Sequence, residues 1–305
     1  MLDLTLLTKE QILGDNSLEV LKKYDTTCGI TDFAILLGGF VSPDYHTREG
    51  NSLKNRTCSW WSKTPDEYGE IYAVTRNGQF DTAISTSRLE SIRPTVKYSS
   101  ISNGQTQENN GIKEVIYGEY PQWVVDQDNS IILEKMYNNG KLKTTGKSYT
   151  TDSVNYLDRS ENFKARSYIE YEYNGEKFIR FTGNSNCDGK TLSDRRIAKK
   201  DEVYWVKVEP LVWLVDEIED VAFTKYAIVA GVKFRDRDNE EKTVEFESSN
   251  LKWFLDKYLS KDILTLKEKN QISSTTDDID SLFEEAITRM NEINELGKQK
   301  SKILM

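Results

Sequence analysis

One histidine, three cysteines and five prolines in 305 residues leave several large classes of chemistry with little to work on. The single histidine, His46, sits in the loop Pro43-Asp44-Tyr45-His46-Thr47. A histidine-rich metal site is therefore impossible, and a Ser-His-Asp triad has no second histidine to draw on. Cys28, Cys58 and Cys187 are widely spaced and odd in number, which fits reduced thiols of a cytosol better than a disulfide framework. No two of them are close in sequence, and nothing beside Cys28 or Cys58 suggests a depressed pKa that would let either act as a nucleophile with His46 as base. No apolar run approaches the roughly 20 residues of a membrane span. The opening MLDLTLLTKEQIL has an acid at position 3 and no basic region ahead of an apolar core, so a secretory signal is not expected. These absences give a cytoplasmic protein, in the host-cell cytoplasm if phage-encoded, with no membrane association and no cofactor. Positive charge is also short: Lys+Arg 41 against Asp+Glu 50 leaves a net charge of −9, the opposite of the bias a duplex-binding surface needs. Nucleic acid is a poor primary ligand for such a chain, and the acidity reads as solubility or as a face that meets a basic partner.

What is present can fold. An apolar content of 37 % with 11 % aromatics supports a real core. Ile12, Leu13, Val20, Leu21 and Tyr24 around Asp15-Asn16 predict two short helices with a break between them. ITDFAILLGGF predicts a third, capped by Thr31 and ended by Gly38-Gly39. Turn dipeptides at Asn77-Gly78, Asn103-Gly104, Asn139-Gly140, Asn174-Gly175 and Asp188-Gly189 then mark a largely β middle. IEYEYNGEKFIRF, Ile169 to Phe181, is the cleanest hairpin. VYWVKVEPLVWLVD, Val203 to Asp216, reads as a strand pair interrupted at Pro210, where a ladder donor is lost. From Ser248, SSNLKWFLDKYLSKDIL places Leu251, Phe254, Leu255, Tyr258 and Leu259 at helical spacing. After a polar linker, Ile279, Leu282, Phe283, Ala286, Met290 and Ile293 form one apolar stripe, with acids early and Lys298, Lys300 and Lys302 late, as the helix dipole favours. That last helix either docks back on its own chain or forms a short coiled coil with a second copy or a partner.

Residues 57 to 96 combine Trp60-Trp61, Asn77-Gly78 and a closing Arg93-Pro94. This block resembles the signature of C-type-lectin-like domains, of the formylglycine-generating-enzyme-like kind, in uncharacterised bacterial and phage proteins, where a Trp-Trp-x-x-(Ser/Thr)-Pro-like start leads through a hairpin to Arg-Pro. Flanking blocks, including YGEYPQ (Tyr117 to Gln122), LKTTGKSYTTD and FESSNLKWFLDKYLSKDI, extend the resemblance over residues 30 to 264, although here the strand-like blocks follow the Trp-Trp block instead of preceding it. The resemblance implies an α+β fold: a C-type-lectin-like β-rich body with flanking helices and a C-terminal amphipathic helix. We divide the chain into a helical leader plus lectin-like hairpin module over 1–104, a second β-rich module ending in an amphipathic helix over 105–266, and a linker with the C-terminal helix over 267–305. The same resemblance implies that Trp60, Trp61, Arg93 and Pro94 staple the fold, and that Tyr68, Tyr72, Arg76, Gln79, Asp81, Ser87 and Arg88 form the ligand-facing surface.

A two-residue turn at Asn77-Gly78 would pair Arg76 with Gln79, Val74 with Asp81 and Tyr72 with Ala83, leaving Ile71, Ala73, Phe80, Thr82 and Ile84 as the core side. The first face suits recognition of protein or glycan. Calcium-dependent sugar binding needs a Glu-Pro-Asn or Gln-Pro-Asp loop, and Glu209-Pro210 is followed by Leu211. Related lectin-like enzymes use closely placed cysteines, and no such pair is expected here. Thr-Gly146-Lys147-Ser148 fails as a phosphate loop because Lys141 stands where the first glycine belongs, and Asn186 to Asp194 lacks the spacing of a calcium loop. The reading is a non-catalytic binding protein with a protein partner. Its alternatives are an acidic inhibitor of a nucleic-acid-handling host or defence complex, and an enzyme with an unrecognised carboxylate pair.

Overall fold

The structure is a computed structural model that describes residues 2–41, 56–84, 90–152, 163–234 and 245–269. His46, Ser87, Arg88 and the stripe from Ile279 to Ile293 lie outside the described residues, as does the C-terminal helix predicted from them. The chain divides into two compact units, one running from Leu2 to Ile263 and the other from Leu264 onward with Met1. Most of what the sequence assigned to two β-rich modules falls inside the first unit.

That unit is a mixed α/β structure with three sheets. It opens with α1 (Lys9–Ile12), α2 (Glu19–Tyr24), β1 (Cys28–Ile30) and α3 (Asp32–Leu36), then runs through β2 (Thr57–Cys58), β3 (Trp60–Pro65), β4 (Ile71–Val74), β5 (Phe80–Ile84), β6 (Thr95–Lys97), β7 (Gln105–Asn109) and β8 (Ile112–Val124). Helix α4 (Gln127–Asn138) precedes β9 (Lys143–Asp152), β10 (Ala165–Tyr173), β11 (Glu176–Thr182), β12 (Val203–Asp216), β13 (Val221–Thr224) and β14 (Tyr226–Ala227). The unit closes with α5 (Asn250–Phe254), a π turn (Leu255–Leu259) and α6 (Ser260–Asp262). Thr31 and Ser249 cap their helices as expected, and Thr8 and Asp126 do the same for α1 and α4; each accepts a backbone N–H from the first turn.

Strand β12 organises the eight-stranded sheet. β11 and then β13 pair along one edge of it, and β8 pairs along the other. It is one 14-residue strand, where the sequence suggested two. Pro210 is absorbed instead by a bulge: Pro210 stands opposite Glu119 and Val212 opposite Ile116, so β8 carries one extra residue there. Gly118 supplies it at φ +73. The Asn174-Gly175 hairpin has both turn residues at positive φ between Tyr173 and Glu176. Asn110-Gly111, which the sequence reading passed over, closes β7 and β8 in the same way. Asn139-Gly140 is no hairpin. It ends α4, with Lys141 N–H donating to Met136 O and Gly140 N–H to Tyr137 O, the paired bonds of a Schellman stop.

The sheet curls until the part of β8 beyond its pairing with β7 faces the outer strand β9. Tyr120 of β8 meets Tyr149 of β9 edge to face at 5.3 Å. The last turn of the α5–α6 helix is seated between these strands: Asp262 accepts from Thr150 N–H at 2.6 Å, and Ile263 O accepts from Glu119 N–H at 2.7 Å. Phe33 of α3 fills the concave side against Tyr120, Tyr168 and Phe181. Asp32 holds that helix in place, accepting from Val124 N–H and from the backbone and hydroxyl of Ser193. Gly118 is pinned to the seam, because a Cβ there would stand 2.5 Å from Ile263 O. Gly118→Ala should therefore lose about 1–2 kcal/mol to the left-handed backbone alone, and more to the clash. Urea unfolding checks the loss, and hydrogen exchange should show the α5–α6 helix loosening first.

Candidate functional site

The Trp-Trp and Arg-Pro ends of the signature block meet in the interior. Trp60, Trp61 and Arg93 are 0 % exposed. Trp61 N–H donates to Ser91 O, and the Arg93 guanidinium lies 5.2 Å from the Trp60 ring. Trp61 packs on Phe234 at 5.4 Å.

Between these ends the hairpin has a different register from the one expected. Val74 stands opposite Phe80 and Ala73 opposite Asp81, so the loop has three residues, with Thr75 N–H bonded to Gln79 O and Gly78 at φ +75. A one-residue slip exchanges the faces of a strand. Tyr72 accordingly meets the ring of Phe80, expected on the far side, at 5.9 Å. Lys9 Nζ lies 4.0 Å from the Tyr72 ring centre on its other flank. The tip is tied down as well, since Thr26 Oγ1 donates to Gly78 O at 2.6 Å. Tyr68 is 80 % exposed in the β3–β4 turn, and Gln79 is exposed with Arg76 half-buried. The register therefore does not assemble Tyr72, Arg76, Gln79 and Asp81 as one ladder face.

A second surface, which sequence reading missed, lies on the convex side of the sheet and is built on α4. Leu133, 2 % exposed, drops between Phe178 and Trp205. Glu134 accepts from Arg180 Nε at 3.0 Å and Nη2 at 2.8 Å, and from Trp205 Nε1 at 3.1 Å. The Arg180 hydrogen bond, outweighing the effect of partial burial, holds Glu134 below the usual carboxylate range. Tyr137 meets Tyr171 and Trp205 at 5.6 and 5.9 Å. Docked this way, α4 turns Ile131 and Ile132 outward at 60 % and 44 % exposure. Grooves flank the helix. One, of about 530 Å³, runs between Ile131, Glu134 and the segment carrying Arg196, Ile197 and Val203. The other, of about 310 Å³, runs between Asn129, Leu133 and the sheet residues Trp123, Tyr173, Glu176 and Glu209. Ile197, across the first groove, is itself 48 % exposed. The cue in the sequence was Asp126 as a cap and Asn139-Gly140 as a stop around SIILEKM.

Among the described residues, several groups that could do chemistry are buried or paired. Cys28 and Cys58 are cross-strand partners of β1 and β2, against the expectation that no two cysteines are close. Both are buried and neither is in a disulfide. Burial, then the hydrogen bond to Cys28, pushes the Cys58 thiol well above its ordinary pKa, which suppresses the thiolate that a nucleophile needs. At the β8–β9 seam Glu119 bonds Lys147 Nζ at 3.1 Å and Lys177 Nζ at 2.8 Å, while Thr145 and Tyr149 donate to Glu170. Burial raises the Glu119 pKa, but the two ammonium groups outweigh it and keep the net below the ordinary value of 4.5. Burial and then the Glu170 charge push Tyr149 up. Lys190, donating to the carbonyls of Gly38 and Gly39 behind α3, is pulled down to about 8 by burial.

Among the described residues no group of three or more His, Cys, Asp or Glu side chains could hold a metal ion, and no helix is long and apolar enough to cross a membrane. No protein-family model, curated protein or solved structure matches the chain.

Proposed function

We propose that the chain is a non-catalytic binding protein that docks a protein partner on the α4 face of a C-type-lectin-like body. The observation that carries it is the adjacent pair Ile131 and Ile132, exposed on a ridge between the two grooves. Burying the part of each isoleucine still in water would return about 1 kcal/mol. Single exposed apolar residues are ordinary, but an apolar ridge with Ile197 facing it and charged Glu134, Arg196 and Glu202 around it has the make-up of an interface core and rim. The lectin-like reading is supported by the way Trp60 and Arg93 close the signature block on itself. The non-catalytic reading is supported by the protonated state of Cys58 and Tyr149 and the pairing of Glu119. Three cysteines outside any disulfide suit a reducing cytoplasm.

The test compares co-purification by the full chain with that by two double variants. Ile131→Asp/Ile132→Asp should lose a partner that Tyr72→Ala/Arg76→Ala retains. Recovery of the same proteins by both variants would remove the α4 face from the account, and loss in the hairpin variant alone would return the site to the β4–β5 surface.

A further inference from the structure

The signature block closes around a buried cation, Arg93, that forms no salt bridge among the described residues. Arg93 is 0 % exposed, and a guanidinium does not give up its proton in a protein. Its Nε donates to Thr224 O at 2.8 Å. The Trp60 and Phe223 rings lie 5.2 and 4.4 Å from its central carbon. Aromatic rings stabilise a cation electrostatically but leave N–H bonds at the guanidinium edge without acceptors. Among the described residues neither Nη1 nor Nη2 has a hydrogen-bond partner, and the same holds for Trp60 Nε1 and Thr95 Oγ1. Thr95 is two residues from Arg93 along an extended segment, so the two side chains share a side. Trp61, next along β3 and packed on Phe234, points to the other side and is not counted.

The donors on this side exceed the acceptors. Each Nη carries two N–H bonds and the Trp60 indole one, while the acceptors on this side are the hydroxyls of Thr95 and of Ser91, two residues before Arg93 and likewise without a hydrogen-bond partner. A buried charge is tolerated when it is paired and hydrogen-bonded. A surplus of donors around an unpaired positive charge is the complement of a small negative acceptor. We propose that Arg93 Nη1 and Nη2, with Trp60 Nε1 and Thr95 Oγ1, bind a small inorganic anion of the halide class inside the fold. The ion neutralises Arg93 and ties β3 to the segment leading into β6, so that the two ends of the signature block are locked through it.

The experiment follows thermal unfolding of the full chain in sodium bromide, sodium chloride and sodium gluconate at equal ionic strength, with bromide-soaked crystals examined for anomalous scattering. The expected result is a saturable rise in Tm with either halide, absent in gluconate and absent in Arg93→Met, and an anomalous peak within hydrogen-bond distance of Arg93 Nη1 or Nη2. Should Arg93→Met not fold, Trp60→Phe keeps a ring and removes one donor, and it should raise the half-saturating halide concentration several-fold. Equal Tm values in bromide and gluconate, a halide effect that survives in the variants, or ordered water alone beside Arg93 would overturn the site.

Discussion

Glu119→Gln should destabilise the fold by about 3–5 kcal/mol, the range for breaking a buried ion pair by removing one partner. The Lys147 side chain is 1 % exposed and that of Glu119 11 %, so the change takes a carboxylate partner from a buried ammonium. Lys177 is 33 % exposed and can turn to water, so it adds less. The double change Glu119→Gln/Lys147→Met should recover most of the loss, because it also removes the buried ammonium that the single change deprives of a carboxylate. Denaturant unfolding of the two single variants and the double variant measures the coupling directly. The pH dependence has a definite sign. Glu119 has a folded pKa below its ordinary 4.5, so its contribution is present above that value and is lost as pH falls through the lower folded pKa. In Glu119→Gln this part of the acid limb of the stability curve should be absent.

Leu133→Ala should cost about 2–5 kcal/mol, as expected for a large-to-small change in a packed core. It should also separate stability from function. Leu133 is the buried anchor of α4 against Phe178 and Trp205, with Tyr171, Tyr173 and Val203 packed around them. Removing it leaves the helix held on the sheet by the bonds of Glu134 to Arg180 and Trp205 and by the Tyr137 ring contacts. Amide exchange over 127–138 should rise more than exchange over β10 to β12, and partner binding should fall even where the protein remains folded. A variant that exchanges uniformly faster while binding as before would detach the α4 face from the binding reading.

Local signals in the sequence were read correctly where one chemical cue decides the conformation. Thr31 as a cap, Asn174-Gly175 as a two-residue turn and Ser249 before the α5 helix are such places. The failures lie where a distant partner chooses between local options. Asn139-Gly140 suits a hairpin as well as a helix stop, and the burial of Leu133 on a sheet assembled from later strands favours the helix. Pro210 should break a ladder, and a bulge at Gly118, nearly a hundred residues upstream, accommodates it. The β4–β5 loop gained a residue because Gly78 at positive φ lets the tip close on Thr26. That slip undid the face on which the binding residues had been placed. The pairing of Cys28 with Cys58 depends on strands thirty residues apart meeting side by side, which spacing along the chain cannot show.

The most direct test of the account is a photo-reactive amino acid placed singly at Ile131 and, in a parallel chain, at Tyr68, followed by irradiation in the cell. Both positions are well exposed, at 60 % and 80 %, so accessibility alone does not favour the first. The account predicts one discrete adduct with another protein from position 131 and none from position 68. A defined adduct from 68 with none from 131, or an adduct from 131 that proves to be a second copy of the same chain, would contradict it.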